Sequence, residues 1–337
     1  MRTQSSLIFL AFPTSCVEEI VMFTGIFAGI AWALETIILG IALGMSPFVS
    51  TEQAIFLAPF VGTFFHDLFS ALFMFIYNTV KGNLKNLFRV FSSPSFKWLL
   101  LSSAIGGPVG MTGYVMAVNC MGTSVAAVAS AVYPAIGTIL ACIFLKEKVK
   151  WYQWIFLLLT LLGVYGLSYS PNLRIENFWL GLLGVFMCAF GWGIEAVILA
   201  KCLKNPEIKN EYVLGIRQAT SALIYGLIII PALGGWRFTA RLLTGHTGML
   251  LPTIALAALC ATVSYLFYYR TIAKVGASKA MALNITYTAW AIIFTVIILR
   301  DFSVLNPMTL ICAGVVVLCG IFAAADIRVL FAKHKSE

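Results

Sequence analysis

A tryptophan and a glutamate three residues apart occur twice in this 337-residue chain, each time inside a long apolar run. The first pair is Trp32 and Glu35, and the second is Trp192 and Glu195. A spacing of three places both side chains on one face of a helix. Indole faces attract cations, so each pair could bind a positively charged group, with the carboxylate adding longer-range attraction. A carboxylate held in apolar surroundings could also exchange a proton, because desolvation disfavours its charged form.

The composition around these pairs is typical of a membrane protein. Hydrophobic residues make up 61% of the chain and charged residues only 10%, whereas a soluble domain is about 45–50% apolar and about 25% charged. A net charge of +9 could suggest a nucleic-acid partner. In a chain this apolar it indicates basic loops that face anionic lipid, so we expect a bilayer and no nucleic acid.

Ten apolar runs are long enough to cross a bilayer, which takes about 20 residues per helix. We therefore predict an all-α polytopic membrane protein with ten transmembrane helices and short loops. The predicted spans are 22–43, 53–77, 98–120, 124–145, 151–169, 178–200, 213–233, 249–272, 277–299 and 306–326.

Basic residues are distributed unequally between the two sets of loops. Sixteen lysines and arginines fall in the even-numbered loops and the tails, and four (Arg174, Arg237, Arg241 and Arg300) fall in the opposite loops. Cytoplasmic loops carry the excess of basic residues, so both termini are predicted to be cytoplasmic. The larger set comprises Arg2, Lys81, Lys85, Arg89, Lys97, Lys146, Lys148, Lys150, Lys201, Lys204, Lys209, Lys274, Lys279, Arg328, Lys333 and Lys335.

The two ends of the chain lie outside the predicted spans. Residues 1–21 have a short apolar core that could be a signal peptide. We favour an N-terminal extension or a mis-assigned start, with translation beginning at Met22, since Glu18 and Glu19 could be encoded by a ribosome-binding sequence. Residues 327–337 are expected to form a cytoplasmic tail.

The duplicated Trp-x-x-Glu belongs to a longer repeat, because other residues recur at a separation of 154 positions. Residues 22–170 and 178–326 are therefore predicted to be two five-helix copies. Five is odd, so the second copy enters the membrane inverted, as in many secondary transporters, with the substrate near the midplane. The recurring residues are Tyr114 with Tyr268, Gly122 with Gly276, Tyr133 with Tyr287, and Leu145-Lys146-Glu147 with Leu299-Arg300-Asp301.

These features resemble the drug/metabolite transporter superfamily of the EamA type, over essentially the whole chain after Met22. The resemblance is carried by the doubled module, the tyrosine-rich third and eighth spans, Tyr133-Pro134, and the Leu-Lys-Glu-Lys that ends the fourth span. It implies a carrier with alternating access but fixes no substrate. A bacterial choline-importing branch is similar in having a tryptophan in the first span of each repeat.

The repeat predicts one central site built from both halves. Its expected lining residues are Trp32, Glu35, Trp192, Glu195, Tyr114 and Tyr268. Asp67, His66, Arg217 and Gln218 form a predicted polar or proton-coupling network, and Gly106, Gly107, Pro108 and Gly110 a predicted hinge, for which tight helix packing is the alternative.

Other interpretations of these residues remain open. The tryptophans could simply pack or anchor at the interface, and the acidic residues could pair structurally with Arg217, Arg270 or His66. A neutral or zwitterionic substrate would use Arg217 or Arg270 for its carboxylate. Both arginines are otherwise expected near the cytoplasmic helix ends, where long basic side chains snorkel.

The favoured function is import of a small organic cation, choline or another quaternary ammonium, by a secondary-active or potential-driven carrier. The alternative is an exporter of amino acids or related metabolites, with or without proton coupling. We expect no enzyme, catalytic residue, cofactor or metal, because the eight cysteines and three histidines are scattered and no phosphate loop or nucleophile elbow occurs. Two copies in one chain favour a functional monomer.

Overall fold

The computed structural model of the protein describes residues 14–169, 175–245 and 248–326. Every long element in that part of the chain is a helix, and ten helices are long and apolar enough to cross a membrane. The predicted all-α polytopic fold is thus confirmed, with span limits within three residues of those expected. The helices are α1 (Met22–Leu43), α2 (Glu52–Val80), α3 (Ser95–Met121), α4 (Val125–Leu145), α5 (Trp151–Ser168), α6 (Phe178–Cys202), α7 (Asn210–Ala232), α8 (Leu250–Val275), α9 (Ala277–Leu299) and α10 (Pro307–Ala324).

Two shorter helices lie in loops, at Leu84–Val90 and Trp236–Thr244. At the amino end, the helical stretch that contains α1 begins at Thr14. Residues 1–13 of the predicted extension and the predicted tail 327–337 lie outside the described residues.

Polar side chains cap the N-termini of several of the long helices. The Thr51 hydroxyl accepts a hydrogen bond from the Ala54 amide at 3.1 Å, at the start of α2. Asn177 does the same at the start of α6, and Asn306 at the start of α10, where Pro307 occupies the first helical turn. Each cap satisfies a backbone N–H that the first helical turn leaves without a partner.

Each half of the chain supplies one member of every main helix pair. Helix α1 packs along α8, and α3 packs along α6. Helices α2 and α7 form a third pair, and α5 and α10 a fourth. An inverted repeat would exchange the first two pairs with each other and map the last two onto themselves. The inverted relation itself stays a prediction.

Contacts between helix ends and loops define two ends of the helix bundle. At one, the Lys201 ammonium lies 5.5 Å from the centroid of the Trp98 ring and Lys150 is paired with Asp326. We call this the basic end. At the other, the Glu176 amide donates to the Cys120 carbonyl at 2.9 Å, and we call it the opposite end. Which end faces the cytoplasm stays a prediction from the lysine and arginine distribution.

Helices α3 and α6 approach closely enough for their backbones to touch. A Cβ added to Gly184 would lie 2.6 Å from the Gly113 carbonyl oxygen and 2.8 Å from the Ala117 amide nitrogen. Contacts of this kind between small residues are a main source of helix association in membranes, where lipid removes the hydrophobic drive. The two halves are therefore joined at a contact that admits no side chain.

Gly184→Ala should destabilise the protein, because the backbone of α3 cannot yield as a flexible side chain would. Overpacking of this kind costs about 1–3 kcal/mol. We expect a lower thermal unfolding midpoint for the variant in detergent, measured by tryptophan fluorescence. Gly314→Ala is the matched control, since a Cβ there meets nothing within 4 Å. Equal midpoints for the two variants would contradict the contact.

Candidate functional site

Two aromatic clusters face each other at the centre of the bundle, one around each repeated tryptophan. Trp32 packs edge-on against Tyr265, with ring centroids 4.9 Å apart, and against Tyr287 at 6.4 Å. Trp192 stacks on Tyr114 at 6.1 Å and meets the edge of Tyr133 at 5.8 Å. The matching tryptophans thus bring rings from six helices into one region.

Two cavities border these rings. A cavity of about 50 Å³ is lined by Trp32, Tyr133, Trp192, Glu195, Ala196, Leu199, Ser264, Tyr265, Tyr268, Asn284 and Tyr287. A larger one, of about 400 Å³, is bounded by the halves of α1, α2 and α3 that lie nearer the opposite end, together with Trp192, Arg217, Tyr265 and Tyr287. Four rings line both cavities and form the partition between them, namely Trp32, Trp192, Tyr265 and Tyr287.

The six residues predicted to bind substrate all line one of these cavities. Trp32, Glu35, Tyr114 and Trp192 line the larger cavity. Glu195 and Tyr268 line the smaller one, which also includes both tryptophans. The two repeated glutamates therefore lie on different sides of the ring partition, although the sequence treats them alike.

Arg217 is the centre of a buried ion-pair network. Its Nε donates to Glu195 Oε1 at 3.0 Å, and its Nη1 lies 3.8 Å from Asp67 Oδ1. Nη1 also donates to the Gln218 side-chain oxygen at 2.7 Å, and the guanidinium lies 4.8 Å from the centroid of the Tyr265 ring. With 4% of its surface exposed, the arginine has its charge compensated by two carboxylates.

This placement corrects the expectation that Arg217 snorkels from a helix end. A guanidinium reaches water when the end of its helix is near, but here three helices surround it and supply partners. Arg270, the other arginine of the prediction, is exposed.

Glu35 belongs to a different part of the same network. Its carboxylate lies 3.5 Å from His66 Nε2, and the Thr36 hydroxyl donates to it at 3.3 Å. The other ring nitrogen, His66 Nδ1, lies 3.0 Å from Asp67 Oδ1. Glu35, His66 and Asp67 are all buried. The ion-pair partner of Glu35 is thus a histidine, whose charge depends on a bound proton.

The charges of this network do not balance. The network contains three buried carboxylates, those of Glu35, Asp67 and Glu195, and one permanent cation, Arg217, which pairs with Asp67 and Glu195. A protonated His66 would supply a second positive charge and still leave one carboxylate in excess. Uncompensated charge is costly in low-dielectric surroundings, so the cluster favours a positively charged guest or a bound proton.

The glycine-rich stretch of α3 adopts one π-helical turn, Ile105–Val109. A Cβ at Gly106 would overlap the Glu195 carboxylate, and one at Gly110 would lie 2.8 Å from the Trp192 ring. The Trp192 indole donates to the Gly106 carbonyl at 2.9 Å. Tight packing against α6 therefore accounts for these glycines, and a hinge at Gly106, Gly107, Pro108 and Gly110 stays a prediction.

Several lining residues were not predicted as part of the site. Tyr133 and Tyr287 had a usable signal, because they match at the repeat distance of 154 residues. The Asn284 amide donates to the Tyr133 hydroxyl at 3.1 Å. Tyr265 had no such signal, since the matching position carries Met111, and only the packing of α8 against α1 brings its ring to Trp32.

Residues 20–169 match the EamA-like transporter family. The chain is 29% identical to protein LicB of Haemophilus influenzae over 192 residues, which are 57% of this chain and 63% of LicB. The chain thus spans less than two thirds of that relative in the match. It is also 23% identical to the S-adenosylmethionine uptake transporter of Rickettsia bellii, over 73% of this chain and 86% of that protein.

A solved crystal structure has the same fold. It superposes with a TM-score of 0.65 over 92% of this chain and 97% of its own, at 17% sequence identity. This likeness concerns the fold alone. The family match and the two named relatives confirm the predicted resemblance to EamA-type transporters.

Arg217→Gln should strongly destabilise the protein, because Glu195 and Asp67 would lose their shared cation. Removing one partner of a buried ion pair costs about 3–5 kcal/mol. We expect a lower thermal unfolding midpoint in detergent, with partial recovery in the double variant Glu195→Gln/Arg217→Gln. The exposed Arg270→Gln is the control and should leave the midpoint unchanged. An unaltered midpoint for Arg217→Gln would contradict the network.

Proposed function

We propose that the protein, whose residues 20–169 match the EamA-like transporter family, is an alternating-access transporter of a small organic cation. The best candidate is choline or another quaternary ammonium, carried inward. The observation that supports this most is the charge imbalance around the ring partition, where Arg217 pairs with Glu195 and Asp67 and a third buried carboxylate, Glu35, has only His66 as its ion-pair partner.

The imbalance also argues against the zwitterionic alternative. A zwitterion needs a free cation for its carboxylate, and Arg217 already holds Glu195 and Asp67. Glu35 is the available carboxylate, because it lines the larger cavity beside Trp32 and its partner is His66. A monovalent cation there would restore the charge that the histidine supplies only when protonated.

Ring faces supply the rest of the recognition. A quaternary ammonium has no N–H to donate, so aromatic faces bind it better than hydrogen-bond acceptors do. Trp32, Trp192, Tyr265 and Tyr287 line both cavities and form the partition between them. A cation–π contact contributes about 2 kcal/mol when the cation is desolvated.

One relative is named for a substrate that contains a compact cation. The Rickettsia bellii protein is named for uptake of S-adenosylmethionine, which has a positively charged sulfonium centre and also an amino-acid group with its own carboxylate. Sulfonium and quaternary ammonium are both compact cations without an N–H on the charged atom. The likeness supports the class of cation and leaves its identity to the flux measurement.

Membrane potential alone can drive such import. Moving one positive charge inward gains about 2.3 kcal/mol per 100 mV, and 1.4 kcal/mol corresponds to tenfold accumulation. No coupled ion is required. We place the protein in the cell membrane as a functional monomer with both termini in the cytoplasm.

Purified protein in proteoliposomes should take up labelled choline, and faster when the interior is made negative. A potassium gradient with valinomycin sets the potential, and empty liposomes give the background. S-adenosylmethionine and neutral amino acids are tested in the same assay. Transport of S-adenosylmethionine alone would keep the cation class and change the substrate. Transport of neutral amino acids without any cation would overturn the proposal.

Trp32→Ala should weaken choline binding about thirtyfold, which corresponds to about 2 kcal/mol of lost cation–π attraction. Glu35→Gln should weaken it as well, because the site loses its available negative charge. Calorimetric titration measures both. Trp179→Ala is the matched control, since that indole is 78% exposed on α6. Unchanged affinity in Trp32→Ala would rule out the ring partition as the site.

A further inference from the structure

Two loops repeat an unusual backbone at a separation of 154 residues. Gly122 and Gly276 have φ angles of 86° and 91°, each just before a helix. Lys146 and Arg300 have φ angles of 57° and 54°, each just after a π-helical turn. Residues with a side chain adopt positive φ uncommonly. Each half therefore builds one loop of each kind, and each end of the bundle has the glycine loop of one half together with the Lys146 or Arg300 loop of the other half.

At the basic end, the residue after Lys146 joins the two loops. The Glu147 carboxylate accepts hydrogen bonds from the Ala277 amide at 2.8 Å and from the Ser278 amide and hydroxyl at 3.1 and 2.6 Å. A Cβ on Gly276 would lie 2.6 Å from the same carboxylate. Glu147 therefore caps the N-terminus of α9, where the helix dipole favours a negative charge.

At the opposite end, the matching carboxylate has a different partner. Asp301 accepts hydrogen bonds from the Ser303 amide at 2.9 Å and from the Ser303 hydroxyl at 2.5 Å, and it is exposed. These bonds lower the pKa of Asp301, so the side chain is a carboxylate at neutral pH. The helix that corresponds to the capped one starts at Thr123, directly after Gly122.

The cavities at the two ends of the bundle also differ. The 400 Å³ cavity extends to Leu43, Val118 and Asn119, in the last turns of α1 and α3, close to Gly122 in the chain. Two cavities of about 120 and 260 Å³ lie at the basic end, the first lined in part by Thr138, and neither includes any of the four rings of the partition. The ring partition thus borders a large cavity that reaches the Asp301 end, which we call the open end, and we call the capped end the closed end.

We propose that Glu147 and Asp301 are two alternating latches of the transport cycle. Glu147 caps α9 while the site is open at the Asp301 end, and Asp301 caps the helix that begins at Thr123 when the site is open at the basic end. The proposal rests on the proposed transport function for its purpose. Each closure exchanges one carboxylate cap for a similar one, which keeps the two states close enough in free energy to interconvert.

Cysteine labelling tests the latches without any substrate. All native cysteines are replaced, and one reporter is added, either Val118→Cys at the open end or Thr138→Cys at the closed end. The rates of maleimide labelling are measured in proteoliposomes. Glu147→Ala should raise the ratio of the Thr138 rate to the Val118 rate about tenfold, because it removes the cap of the present state.

Two further variants keep the test decisive. Ser278→Ala removes one of the three hydrogen bonds to Glu147 and should shift the ratio in the same direction by a smaller factor, even if Glu147→Ala folds poorly. Asp301→Ala removes the latch of the other state and should leave the ratio unchanged or lower it. A ratio that stays constant in Glu147→Ala and Ser278→Ala, or rises tenfold in Asp301→Ala, would overturn the latches.

The labelling experiment tests the latches, and the flux experiment tests the transport function. A shifted ratio without choline uptake would keep the latches and reject the substrate. Choline uptake with a constant ratio would keep the transport function and reject the latches.

Discussion

The ion pair between Arg217 and Glu195 is the constraint on which the site depends. A guanidinium buried among helices must have a carboxylate beside it, and Glu195 and Asp67 both turn towards it. Their engagement leaves Glu35 as the carboxylate of the larger cavity. Gly106 is part of the same arrangement, because a side chain there would displace Glu195.

Hydropathy alone predicts the fold well, because a bilayer demands about 20 apolar residues for each crossing. All ten spans appear at their expected positions within three residues. The pairing of α1 with α8 and of α3 with α6 is not readable from hydropathy, since lipid-facing and helix-facing apolar residues look alike. Close backbone contacts at glycines, such as Gly113 with Gly184, mark the second of these pairings in the structure.

The sequence predicts which residues line the candidate site but not how their charges are paired. The repeat identifies the tryptophans and glutamates, and all of them line the two cavities. It also implies that Glu35 and Glu195 are equivalent. Their ion-pair partners differ, because Glu35 pairs with His66 and Glu195 with Arg217. His66-Asp67 and Arg217-Gln218 hold matching places in the two halves, but an imidazole and a guanidinium carry different charges. A symmetric sequence pattern therefore conceals an asymmetric charge distribution.

The order of these partners along the chain bears on how the protein enters the membrane during synthesis. Glu35 emerges on α1, and its partner His66 follows on the next helix. Glu195 emerges on α6, and Arg217 follows on α7, only 22 residues later. Each acidic helix can therefore leave the translocon together with its neighbour as a hairpin whose charges already face each other. Neither Glu35 nor Glu195 therefore depends on the other half of the protein for its ion-pair partner.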